Sequence, residues 1–177
     1  MENNSRKGEI ESVIVHLLTK RKLTLATAES CTGGLIANQI TNVPGASKIF
    51  PGGIVAYSND AKEKFLGVHS STLKKYGAVS EAVAREMAEG ARKKFGADFA
   101  IAVTGIAGPT GGTKAKPIGT VFIALSGDFG TVVLRKLNSF GREKFKQATA
   151  RQALELLLSQ FEISAKLGAR TARPRDV

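Results

Sequence analysis

A single cysteine, Cys31, no tryptophan and two separated histidines, His16 and His69, stand among 177 residues. One cysteine forms no intramolecular disulfide, and no Cys/His cluster exists to hold a structural zinc, so a reducing compartment and no metal are expected. Aromatic residues make up only 6% of the chain, which leaves little with which to stack bases. Long apolar runs are missing as well: residues 1–7 are polar and the apolar residues after them are interrupted by charges. Neither a signal peptide nor a membrane-spanning helix is expected, which points to a cytoplasmic protein with no membrane partner.

What is present fits one ordinary globular domain. Hydrophobic residues are 42% and charged residues 23% of the chain, close to globular averages. Lys and Arg outnumber Asp and Glu by 26 to 15, a formal charge of +11, which calls for an anionic partner. The basic residues come in scattered pairs and triples such as Lys20-Arg21-Lys22 and Arg92-Lys93-Lys94, without a long basic block or aromatic interleaving. Solvated helix faces account for such pairs, so a small anionic substrate is expected in preference to nucleic acid.

Ile10, Val13, Ile14, Leu17 and Leu18 form a helical apolar stripe ending in Lys20-Arg21-Lys22. A short strand begins at Leu23 and leads into Glu29-Ser30-Cys31-Thr32-Gly33-Gly34, after which Leu35, Ile36 and Ile40 mark a helix. A second strand at residues 53–57 precedes a helix capped by Asn59-Asp60 and carrying Lys62, Phe65 and Leu66. Ser80 starts, and Gly96 ends, a helix with Val83, Met87, Ala91 and Phe95 on one face. Residues 98–103 are nearly continuously apolar, the pattern of a strand buried on both faces, and they enter a glycine-rich loop at 104–112. Two further β-rich runs, 119–125 and 131–137, form a hairpin and imply one antiparallel strand. A last helix starts near Arg142, and periodicity fades from Lys166. The alternation predicts a single three-layer α/β domain over residues 8–163, with a mostly parallel sheet of about five strands and flexible termini at 1–7 and 164–177.

Three polar junctions, at residues 29–34, 57–62 and 104–112, all follow predicted strands, and ligands of such sheets bind beyond the carboxyl ends of the strands. Ser30 precedes Gly33-Gly34, where N–H groups at a helix start favour an anion. A serine nucleophile needs a base, and neither histidine sits at a junction, whereas Lys62 does. Lysine loses its proton near neutral pH when desolvated, which makes Ser30 and Lys62, with Tyr57 as proton relay or orienter, a candidate constellation. The plainer readings stand beside it: Ser30 as a turn or cap residue, Lys62 as a surface lysine, Tyr57 as a packing aromatic. Cys31 is a rival nucleophile or a small buried hydrophobe. The 104–112 loop matches neither G-x-x-x-x-G-K-[ST] nor G-x-G-x-x-G, so it is a phosphate cradle of another kind or a long turn.

Five motifs, taken together, resemble the CinA C-terminal domain family over roughly residues 8–163. They are Ala28-Glu29-Ser30-Cys31-Thr32-Gly33-Gly34, Tyr57-Ser58-Asn59 with Lys62, Gly77-Ala78-Val79-Ser80, Thr104-Gly105-Ile106-Ala107-Gly108-Pro109, and Lys116-Pro117-Ile118-Gly119-Thr120-Val121. The resemblance implies a three-layer α/β/α domain with a mixed five-stranded sheet. It implies a nicotinamide-nucleotide amidase, converting nicotinamide mononucleotide to nicotinate mononucleotide and ammonia in the pyridine nucleotide cycle, without metal or other cofactor, and a homodimer. Ser30 would be the nucleophile, Lys62 the base and Tyr57 a helper in proton transfer. Thr32, Gly33, Gly34, Thr104, Gly105 and Gly108 would line the substrate pocket, with backbone N–H groups near Gly33 or Gly105 holding the oxyanion. Arg142 and Lys146 would hold the phosphate. Many members have Gly-Asp-Arg near the last helix and an arginine four residues on, where this chain has Phe140-Gly141-Arg142 and Lys146, and Thr110 stands where glycine or aspartate is common. Larger members carry an additional N-terminal domain. Two other readings compete with the amidase: a catalytically silent domain that binds a nucleotide or a protein, and a basic nucleic-acid-associated competence protein.

Overall fold

The computed structural model describes the backbone of residues 9–171 and the side chains of residues 10–161. The expectations for residues 1–7 and 172–177 lie outside the described residues. The elements run α1 (Glu9–Arg21), β1 (Leu25–Glu29), α2 (Leu35–Thr41), a single 3-10 turn (Ala46–Lys48), β2 (Gly52–Val55), α3 (Asn59–Leu66), α4 (Ser70–Tyr76), α5 (Glu81–Phe95), β3 (Phe99–Gly105), β4 (Thr120–Gly127), β5 (Gly130–Leu137) and α6 (Arg142–Thr171).

Local chemistry accounts for most of these bounds. Ser80 caps α5 through its hydroxyl, which accepts from the Val83 N–H, and Gly96 closes the helix in the left-handed conformation. α3 is capped by Ser58, whose Oγ accepts from the Ala61 N–H, one residue earlier than the expected Asn59-Asp60 cap. Helix α4 has no counterpart in the sequence reading: it buries only Leu73, too little for an apolar period to show. Val13 leaves the α1 stripe and is 51% exposed, because the turn of the helix carries Ile14 and Leu18 squarely inward and puts Val13 at the edge. The α6 backbone continues past residue 163 to Thr171, through a segment rich in good helix formers.

The strands form one sheet in the order β2-β1-β3-β4-β5. β1 pairs in parallel with both β2 and β3, while β4 is antiparallel to β3 and β5, so β4 alone opposes the other four. The mixed, mostly parallel sheet of the sequence analysis is therefore present, with its single reversed strand in the hairpin. The chain moves outward from β1 to β2 and then crosses back to β3 on the other side of β1. Crossovers of one hand leaving in opposite directions place their helices on opposite faces, and the strand order reverses at β1/β3.

Strand alternation makes the two faces unlike. Leu25, Phe99, Ile101, Val103, Val121, Ile123 and Leu125 point into one core, packed with Ile14 and Leu18 of α1, Ile36 and Ile40 of α2, and Phe145, Leu154 and Leu157 of α6. The alternate positions are mostly small: Ala26, Ala28, Ala100, Ala102 and Ala124, with Phe122 the bulky exception, pack with Val83, Ala84, Met87, Ala88 and Ala91 of α5. Alanine on alanine brings α5 close to the sheet, and the bulky face takes the α1, α2 and α6 layer. No described helix is long and apolar enough to cross a membrane.

Candidate active site

At the carboxyl ends of β1 and β3, where the strand order reverses, lies a cavity of about 310 Å³. All three polar junctions reach it: Ser30 and Cys31 from the first, Tyr57, Asn59 and Lys62 from the second, and Thr104, Gly105 and the 106–111 loop from the third. Ala78 and Val79 before α5, and Arg142 at the start of α6, complete the walls. No carboxylate is among these residues, so the wall charges are cationic.

The turn after β1 is built around a residue the sequence reading did not single out. Glu29 is fully buried, and its carboxylate takes the first-turn N–H groups of α2. Oε2 accepts from Gly34 N (3.0 Å), Ile36 N (3.1 Å) and the Thr32 hydroxyl (2.6 Å), and Oε1 accepts from Ala37 N (2.8 Å). The α2 N-cap position, Gly34, has no side chain to do this. A carboxylate from the strand thus serves as the cap and offsets the helix dipole. Gly33 and Gly34 adopt φ of 64° and 95°, the left-handed turn that swings the chain round this carboxylate. The Gly33 N–H is spent on the Ser30 carbonyl at 3.1 Å.

These bonds correct part of the expected site. The helix start beside Ser30 is not an open anion site, because Glu29 already fills it. Thr32, Gly33 and Gly34 are not among the cavity's lining residues; they hold the turn. Lys146 is also outside the lining; its Nζ lies over Gly33, 3.6 Å from where a Cβ would stand. Ser30, Tyr57, Lys62, Thr104, Gly105, Gly108 and Arg142 do come together. Gly105 is fitted to the spot by size: a Cβ there would stand 2.8 Å from the Thr120 carbonyl oxygen and 3.0 Å from the Phe145 ring. Thr104 donates its hydroxyl to the Ala78 carbonyl (2.8 Å), tying β3 to the segment before α5. The contribution of Ala78 and Val79 was legible only as an unexplained Gly77-Ala78-Val79-Ser80 motif.

Lys62 sits one helical turn before Leu66 on the inward face of α3, and only 2% of it is exposed. Its Nζ lies 3.2 Å from Ser30 Oγ, 3.0 Å from the Ala56 carbonyl and 3.4 Å from that of Tyr57. Burial lowers the amine from the ordinary lysine value of 10.5. Two carbonyls can take two amine hydrogens and leave the lone pair of a neutral amine facing the Ser30 hydroxyl. Tyr57 contributes to this cluster through its main chain. Its hydroxyl accepts instead from Arg142, whose other nitrogen donates to the Gly108 carbonyl at 3.0 Å. The expected role of that hydroxyl as a proton relay to Ser30 therefore has no bond behind it.

Burial pushes the Cys31 thiol up to about 12, with the charge of Glu29 adding to the effect and the N–H groups of Cys31 and Thr32 opposing it. The rival nucleophile is a protonated thiol at neutral pH. At pH 8 a thiol of that pKa is ionised in about one molecule in ten thousand, so iodoacetamide is expected to label Cys31 far more slowly than a free thiol. Intact-mass kinetics would read this, and labelling at the free-thiol rate would contradict it. Among the described residues, no group of three or more His, Cys, Asp or Glu side chains is placed to hold a metal ion.

The family model for the CinA C-terminal domain matches residues 7–161. CinA-like proteins of Kosmotoga olearia and Thermotoga maritima are 51% and 50% identical over 149 residues, 84% of this chain. The aligned part is 36% of each of those relatives, so the chain spans about a third of their length. The crystal structure of the competence/damage inducible protein CihA from Agrobacterium tumefaciens is 44% identical, with a TM-score of 0.82 over 86% of this chain and 93% of that one. The competence damage-inducible protein A (ComA) of Klebsiella pneumoniae has a TM-score of 0.85 at 35% identity, over 88% of this chain and 97% of that one.

Proposed function

This chain belongs to the CinA C-terminal domain family, and from that membership together with the cavity we propose that it hydrolyses nicotinamide mononucleotide to nicotinate mononucleotide and ammonia. The observation that carries the reading is the buried contact between Lys62 Nζ and Ser30 Oγ at 3.2 Å, at the floor of a cavity with no carboxylate. A neutral Lys62 takes the Ser30 proton as Oγ bonds to the carboxamide carbon, which activates an otherwise weak nucleophile. The resulting ammonium, held by the Ala56 and Tyr57 carbonyls, returns that proton to the departing nitrogen, and ammonia leaves. Water then adds to the acyl ester, Lys62 takes its proton and gives it to Ser30 Oγ, and the acid is released.

With Gly33 and Gly34 committed, the oxyanion is assigned to N–H groups of the loop after β3, where Ala107 and Gly108 line the cavity. Arg142 supplies the positive charge for the substrate phosphate. The test is ammonia release from nicotinamide mononucleotide by the wild-type chain in the presence of EDTA. Saturable release supports the amidase. Binding of the nucleotide without ammonia at any substrate concentration would replace the reading with a silent binding domain.

A further inference from the structure

We propose that the Tyr57 side chain works as a positioning residue that holds the Arg142 guanidinium at the cavity mouth for the anionic group of the substrate, and that it moves no proton at Ser30. The inference rests on the amidase reading for its substrate but on separate bonds for its logic. Tyr57 is 59% exposed, and its hydroxyl accepts from Arg142. Arg142 has a second anchor on the Gly108 carbonyl. Both anchors are neutral oxygens, and Arg142 forms no ion pair with a carboxylate among the described residues. Its charge is therefore oriented without being neutralised, which is the condition for a cation awaiting an anion.

An arginine side chain loses considerable rotamer freedom when it is fixed in one pose. Two acceptors from different loops make that cost part of the fold, so that it is not charged against ligand binding. The Ser30–Lys62 pair is complete without the hydroxyl, since Lys62 uses the Tyr57 main-chain carbonyl and any residue at 57 would supply it.

The experiment compares wild type, Tyr57→Phe, Arg142→Ala and the double variant, using nicotinamide mononucleotide and its dephosphorylated nucleoside. Removing a hydrogen bond to a charged group is expected to raise KM for the nucleotide about tenfold in Tyr57→Phe, with kcat within about twofold of wild type and an unchanged pH profile. Discrimination against the nucleoside falls by the same factor. The double variant is expected to be no worse than Arg142→Ala alone, because both changes remove one interaction. A large loss of kcat, a shifted pH profile, or no change in either constant overturns the proposal. Calorimetric binding of the two compounds to Ser30→Ala, with and without Tyr57→Phe, decides the same point without turnover. If wild type releases no ammonia, the amidase reading falls while this arm still shows whether Tyr57→Phe weakens the nucleotide alone. Equal weakening of both compounds overturns the role.

Discussion

Replacing Lys62 with methionine is expected to lower the rate of ammonia release by about a thousandfold while the chain stays folded, since removing a general base costs about 10²–10⁴. Methionine keeps an unbranched apolar stem at a position that is almost fully buried on α3, so the core beside Leu66 remains filled. Ser30→Ala is expected to fall by a similar factor, and the double variant to be no slower than either single one, because nucleophile and base act as a unit. Losses that multiplied would show that the two groups work independently and would sink the pair. The pH dependence has a definite sign. Burial disfavours the charged ammonium, so Lys62 releases its proton below 10.5, and activity is expected to rise with pH through that lowered value and level off above it. A rise centred at or above 10.5 would exclude Lys62 as the base. The same shift opposes folding at low pH: the unfolded chain binds the proton more tightly, so this group's contribution to stability improves as pH climbs from the lowered value to 10.5.

The second large effect is expected at a residue outside the cavity lining. Glu29→Ala would strip three backbone N–H groups and the Thr32 hydroxyl of their acceptor at once. Breaking a buried charge-assisted network of this kind costs about 3–5 kcal/mol, a large share of the roughly 5–15 kcal/mol that holds a typical domain together. Glu29→Gln is expected to recover only part of it, because an amide nitrogen would face donors where the carboxylate presents oxygens. Urea unfolding midpoints give the measurement, and a loss under about 1 kcal/mol for Glu29→Ala would mean that the α2 start is satisfied in some other way. Activity in Glu29→Gln should fall with the ordering of the turn, because Ser30 is the next residue and its carbonyl closes that turn with Gly33.

Glu29 also marks what residue spacing leaves undetermined. Glu29-Ser30-Cys31-Thr32-Gly33-Gly34 reads as a polar turn before a helix, and the two glycines rightly mark a chain reversal. Nothing in the spacing says that the carboxylate points back into the turn. The residue types imply a free helix N-terminus beside Ser30, and the fold closes it with the Glu29 carboxylate. Thr32, Gly33 and Gly34 moved from the pocket to its scaffold for that reason. From the residues the Tyr57 side chain reads as a proton relay or orienter for Ser30 and Lys62, and the family resemblance implies help in proton transfer for it. Its actual partner, Arg142, lies 85 residues away and arrives only when α6 packs against the sheet.

Local patterning alone determined the alternation of strands and helices, the single reversed strand, the Ser80 and Gly96 boundaries of α5, and the position of three polar junctions directly after strands. Those features follow from side-chain period, caps and turn residues, which act within a few positions. The directions in which the Lys62 amine and the Cys31 thiol are shifted, the owner of the α2 N-terminus and the anchors of Arg142 come from tertiary structure. Each depends on which distant groups remove water or supply an acceptor, and desolvation is a property of the packed neighbourhood rather than of the residue. The sequence could name a serine and a lysine 32 positions apart, but only the packing of α3 against the end of β1 sets their 3.2 Å contact and keeps the amine out of water.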